Sequence, residues 1–169
     1  SRMNAALAEG SLASYGAAFE SARAIAGETE AVRAQAFARF TELGFPAARD
    51  EAWKYTSLRR LESRRFQAAG RSAEASDRPD VAAFSPSRVV LVNGTVIDRS
   101  DLPAGLRVRT LREALLDGEP QSTLLRVPSG GGTERFAALN VALCADTLVV
   151  DIDERAVPGE PLHLVLVTA

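Results

Sequence analysis

The chain has 169 residues, 46% of them hydrophobic, with 20 basic and 22 acidic side chains and a formal charge of -2. That length supports one domain of ordinary size or two small ones with a buried core, and the near-balance of charge gives no global drive toward nucleic acid or a membrane surface. No apolar run approaches the roughly 20 residues of a spanning helix, no secretory leader pattern is present, and the single cysteine, Cys144, excludes an intrachain disulfide. These features together read as a cytoplasmic protein.

Ser1-Arg2-Met3 reads as a vector remnant ahead of a natural start at Met3 and is set aside. Leu12, Tyr15, Phe19, Ala22 and Ile25 or Ala26 recur at helical spacing and predict a first helix ended by Gly27. Thr29 is the expected N-cap of a second helix carrying Val32, Ala36, Phe40 and Leu43 on one face. Gly44 should close it in the left-handed conformation, with Phe45 folding back and Pro46 blocking continuation. Ala47 to Thr56 reads as a helical stretch with acidic residues in its first turn. Thr56 or Ser57 then caps a short helix through Leu58 and Leu61 that turns Arg59, Arg60, Arg64 and Arg65 to solvent. Residues 68–86 lack a sustained period and read as a connector.

Beyond it the period becomes that of strands. Arg88–Val92, the turn pair Asn93-Gly94 and Thr95-Val96-Ile97 predict a hairpin. Leu102-Pro103-Ala104-Gly105 is a turn, Leu106 to Val108 a short strand, and Leu111–Leu116 a helix broken by Gly118 and Pro120. Ser129–Gly132 is a loop, after which Thr133 caps a helix bearing Phe136, Leu139, Asn140 and Leu143. Strands follow at Thr147–Ile152 and Leu162–Val167, around a turn at Val157-Pro158-Gly159-Glu160. The last strand is apolar with nothing after it, which predicts further strands in a longer parent protein, or pairing with a second copy.

Catalytic constellations are thin. His163 is the only histidine and has no second ligand at metal spacing, so it reads as a strand residue; a small-molecule enzyme using it is the competing reading. Cys144 alone falls short of the about four thiolates of an iron-sulfur site and reads as packing. Ser129-Gly130-Gly131-Gly132-Thr133 lacks the Gly-Lys-Ser/Thr ending of a phosphate loop, and no Gly-x-Ser-x-Gly elbow occurs. The arginines from Arg59 to Arg71 are the best case for a nucleic-acid-binding module, but Phe66 is their only aromatic companion and acids follow at Glu74, Asp77 and Asp80. A solvated helix face is the plainer reading, so no nucleic acid and no membrane partner is expected.

Phe45-Pro46-x-x-Arg49-Asp50-Glu51-x-Trp53-Lys54-Tyr55-Thr56-x-Leu58 closely resembles the segment near the N-terminus of the SufD family, scaffold components of the SUF iron-sulfur cluster assembly system. Val92-Asn93-Gly94, Leu102-Pro103-x-Gly105-Leu106-x-Val108, Phe136-Ala137-Ala138-Leu139-Asn140, Asp146-x-Leu148-Val149-Val150 and Pro161-Leu162-His163-Leu164 follow in the family's order. The resemblance implies an α+β chain: a small N-terminal helical domain (1–67), the connector (68–86), a mixed segment (87–145), and the first rungs of a right-handed parallel β-helix (146–169). It implies a non-catalytic scaffold, with SufB-like and SufC-like partners bound mostly through regions outside these residues and sulfur supplied by a cysteine desulfurase. A SufB-like paralogue is the alternative within the same architecture.

By the same resemblance this piece holds no cofactor, catalytic residue or metal ligand, while the parent complex handles iron-sulfur clusters. Arg49, Trp53, Lys54, Tyr55, Arg59 and Arg60 form the candidate interaction surface. Trp53 and Tyr55 are read first as anchors that bury aromatic area in the helical domain. A docking face is the second reading.

Overall fold

The computed structural model describes residues 2–23, 27–47, 50–62, 64, 86–127, 129–130, 134–144 and 147–167, with only the backbone for 2–11, 59 and 62. In chain order these form α1 (Arg2–Arg23), a 3-10 turn at Gly27–Thr29, α2 (Glu30–Leu43), a 3-10 turn at Glu51–Trp53, α3 (Arg59–Glu62), β1 (Arg88–Val92), β2 (Thr95–Ser100) and β3 (Leu106–Thr110). There follow α4 (Leu111–Leu116), α5 (Gln121–Leu124), α6 (Glu134–Leu143), β4 (Leu148–Ile152) and β5 (His163–Val167). The mixed helix and strand content is the α+β class that the change of period implies. All but Pro86 of the expected connector, and Thr133 with its expected cap, lie outside the described residues.

Contacts divide the chain into two units, Ser1–Ala68 with Gln121–Cys144, and Ala69–Pro120 with Ala145–Ala169. The helical unit is therefore discontinuous in sequence, whereas a partition drawn linearly along the chain puts α6 in the mixed segment. Packing explains the difference. Ala36 on α2 and Ala138 and Ala142 on α6 are wholly buried, and side chains this small let two helices lie close together. Tyr15, Phe40, Ala138 and Leu139 form the core, with Leu12, Phe37, Phe45, Phe136 and Leu143 packed around it. Its rings meet edge-on, Tyr15 on Phe40 at 5.9 Å and Phe40 on Phe45 at 5.5 Å, while Phe19 stacks on Phe37 at 4.4 Å. Burial pushes the Tyr15 phenol above its ordinary pKa.

Two helix ends depart from expectation. Thr29 makes no side-chain cap on α2, because the chain enters that helix through a 3-10 turn with Thr29 at φ -87°, ψ 0°. Its Oγ1 instead accepts a 2.7 Å hydrogen bond from Arg33 Nε. Gly44 has the expected positive φ of 61°, but its ψ of -167° is extended, and its N–H returns 2.7 Å to the Phe40 carbonyl. Among the described residues of the helical stretch expected over Ala47–Thr56, the regular structure is the 3-10 turn at Glu51–Trp53.

In the second unit, Asn93 at φ 48° and Gly94 at φ 82° make the tight hairpin turn, so β1 and β2 pair antiparallel. A bulge shifts the partner of Val90, Asp98, to that of Leu91, Val96, leaving one residue of β2 over. On its other side β1 pairs parallel with β5, from Arg88 opposite His163 to Val92 opposite Val167. The sheet order is β2-β1-β5, and Val89, Val90, Val92 and Val165 are its buried hydrophobic residues. A separate antiparallel ribbon joins β3 to β4, Leu106 opposite Ile152. The final strand is thus not unpaired, as its sequence implied, but hydrogen-bonded along one edge. Among the described residues the expected parallel stack over 146–169 amounts to that one parallel pair, since β4 runs antiparallel in the other sheet.

Gly105 shows why the turn before β3 needs glycine. Its φ is +80°, and a Cβ there would meet Ala156 Cβ at 2.6 Å. The close approach is fixed by Asp153 N–H, which donates to the Gly105 carbonyl at 2.9 Å.

Candidate functional site

The segment from Asp50 to Arg64 is pinned at its start and open at its tip. Asp50 Oδ2 accepts the Ala47 N–H at 2.8 Å and pairs with Arg135 on α6 at 3.0 Å. The same guanidinium donates to the Phe45 carbonyl at 2.8 Å. Trp53 is half-buried with its ring 5.3 Å from that of Phe136. Tyr55 does the opposite: it is 93% exposed. Lys54 Nζ lies 5.5 Å above the Tyr55 ring and 3.9 Å from Glu51, both weak contacts at such exposure. Arg60 and Arg64 are also exposed. Arg49, Arg65 and Arg71 lie outside the described residues, and of Arg59 only the position at the start of α3 is defined.

The structure does not bring the other sequence candidates together. Cys144 ends α6 half-buried, and its carbonyl accepts a 2.6 Å bond from the buried Arg33, a cation placed where that helix leaves carbonyls unsatisfied. His163 opens β5, and its backbone N–H donates to the Ser87 carbonyl at 2.9 Å. In the glycine loop the Gly130 N–H is 2.7 Å from Glu134 Oε2, so the chain's own carboxylate occupies a donor that a phosphate would need. Among the described residues no group of three or more His, Cys, Asp or Glu side chains could hold a metal ion.

Sequence reasoning missed the densest polar cluster. Arg109 on β3 is buried, and its guanidinium pairs with Glu119, with Asp151 at 2.7 Å and with Asp117 at 2.9 Å. Those bonds, Glu119 first, hold its pKa above even the usual arginine range. Arg107, two residues earlier and on the same face, also reaches Asp117 at 2.7 Å. Nearby, Glu113 closes a reciprocal cap with Thr110 and accepts both arms of Arg99 at 2.7 and 2.9 Å. Arg99, and then the Thr110 N–H, pull the Glu113 carboxyl down to about 2. The Thr-x-x-Glu spacing was the available signal for that cap. Every carboxylate here has an arginine partner, so the cluster ties α4 to the β3–β4 ribbon rather than offering an acid and a base to a substrate.

Residues 20–164 match the family model described as the SufBD protein N-terminal region. Over 133 residues the chain is 28% identical to an iron-sulfur cluster assembly SufBD family protein of Synechocystis, an alignment covering 75% of this chain and 29% of that relative. The chain thus spans less than a third of the length of the curated relative it matches. No described helix is long and apolar enough to cross a membrane.

Proposed function

The chain belongs to the SufBD family, and from that membership we propose that it is the N-terminal region of a SufD-type, non-catalytic scaffold subunit of an iron-sulfur cluster assembly complex in the cytoplasm. The observation that carries the reading is the family match, which runs through both structural units from residue 20 to residue 164. The SufD-type assignment, rather than a SufB-like one, rests on the wording Arg49-Asp50-Glu51-x-Trp53-Lys54-Tyr55-Thr56 and on the single cysteine of the sequence. A cluster takes about four thiolates, so clusters pass through the parent complex as cargo and are not held by this region.

The partners of the whole protein are SufB-like and SufC-like subunits. They engage mostly outside these residues, and in our reading the parallel β1–β5 pair is the start of a right-handed β-helix. What supports that continuation is a strand paired on one side only, with Leu164 and Leu166 exposed beside it. Affinity purification of the tagged full-length parent tests the function: SufB-like and SufC-like subunits should co-elute in fixed proportion. Elution of the parent alone from cells that express both would overturn it.

A further inference from the structure

We propose that the Lys54-Tyr55 tip of the helical unit is a docking site for an acidic protein surface. The proposal stands on the geometry of that unit alone and does not depend on the scaffold reading. Among the described side chains of the unit, Tyr55 is the one large hydrophobic group left exposed. The other described aromatics of the unit, Tyr15, Phe19, Phe37, Phe40, Phe45, Trp53 and Phe136, all make ring contacts. An aromatic cluster was therefore available close by, and the backbone turns Tyr55 away from it.

The tip is also held in place. Upstream, Asp50 is paired with Arg135 and the Trp53 ring rests on Phe136. The Thr56 N–H then closes the turn on the Trp53 carbonyl at 2.9 Å, and Leu58 and Leu61 are half-buried just beyond. A tyrosine carried on a backbone already held in a turn costs less ordering on association than one on a loose chain, and tyrosine, tryptophan and arginine are the side chains that most often dominate interface energies.

Charge selects the partner. The exposed cations Lys54 and Arg64 stand against one exposed acid, Glu51, among the described side chains of this segment, although the chain as a whole is at -2. The complement is a surface of Asp and Glu side chains around a shallow apolar recess that takes the ring. Nucleic acid is disfavoured because one exposed ring offers no series of stacking platforms. A membrane surface is disfavoured because α3 has only four residues, too few for an amphipathic face.

Trp53, the only tryptophan, adjoins the tip and reports on it. Titration of the chain with a random glutamate–tyrosine copolymer, with tryptophan selectively excited, should give a saturable change that weakens as salt is raised. Tyr55→Ala and the double variant Lys54→Glu/Arg64→Glu should each weaken binding by about tenfold or more. Tyr55→Phe should retain most of it, and unchanged thermal melting should show that the variants fold. No saturable change, equal binding by the variants, or tighter binding of oligothymidylate or of anionic phosphatidylserine vesicles than of the copolymer would overturn the proposal.

Discussion

Gly105 is the residue on which the β3 turn depends most. It combines a φ of +80° with a Cβ position 2.6 Å from Ala156, while Gly94, at φ +82°, has open space around it. Gly105→Ala should therefore cost about 1–3 kcal/mol from backbone strain with a clash added, and Gly94→Ala only the strain. Chemical denaturation of the two variants checks the ordering, and equal losses would show that the contact with Ala156 is soft. The turn was legible in the sequence as Leu-Pro-Ala-Gly, but the reason for the glycine was not, because Ala156 lies far along the chain.

Glu113 sets a pH dependence. Its folded pKa of about 2 lies below the ordinary 4.5, so its bonds to Arg99 and Thr110 contribute stability that is fully present above about 4.5. That contribution is lost as pH falls toward 2, since the unfolded chain takes up the proton first. Thermal melts from pH 6 to pH 2 should show a decline that is shallower in Glu113→Gln, a variant already less stable at pH 6. Parallel curves would mean that the ion pair does not form in solution.

At the scale of elements, the periodic stretches were legible and the partnerships were not. The helical step of Tyr15 and Phe19, the Asn93-Gly94 turn and the valine-rich β1 each show in local sequence, and each forms where expected. The N-terminus of α2 falls at Thr29 as expected, but the capping bond does not form, because Thr29 serves Arg33 rather than the helix amides and that buried guanidinium reaches for the end of α6. Arg109 could not be read as buried, since its partners come from two stretches of chain, Asp117 with Glu119 and the distant Asp151. The candidate surface was half legible: Trp53 and Tyr55 look alike in sequence, and only Phe136, placed opposite Trp53 by α6, separates anchor from tip.

The open edge of β5 carries a prediction of its own. Leu164 and Leu166 are exposed beside a strand edge that has no partner among the described residues, the condition under which strands add to strands. The isolated chain should self-associate at high concentration, and Leu166→Lys, which puts a charge beside that edge, should reduce the effect. Sedimentation that shows a strict monomer for the unmodified chain would count against edge pairing.

At the scale of the whole molecule, the helical unit is built on an aromatic core, whereas the strand-rich unit keeps Leu116, Val150, Ile152, Val157, Leu164 and Leu166 at its surface. A unit that leaves this much apolar area exposed is suited to being covered, which accords with a chain that aligns with under a third of a longer SufBD family relative. Because His163 donates its N–H toward β1, the alternate residues Leu164 and Leu166 direct their amides to the outer edge. Site-resolved hydrogen exchange of those two amides, in this chain at low concentration and in the full-length parent, tests the account most directly. They should exchange rapidly in the chain and, if the proposed β-helix continues from β5, be strongly protected in the parent; equally rapid exchange in both would contradict it.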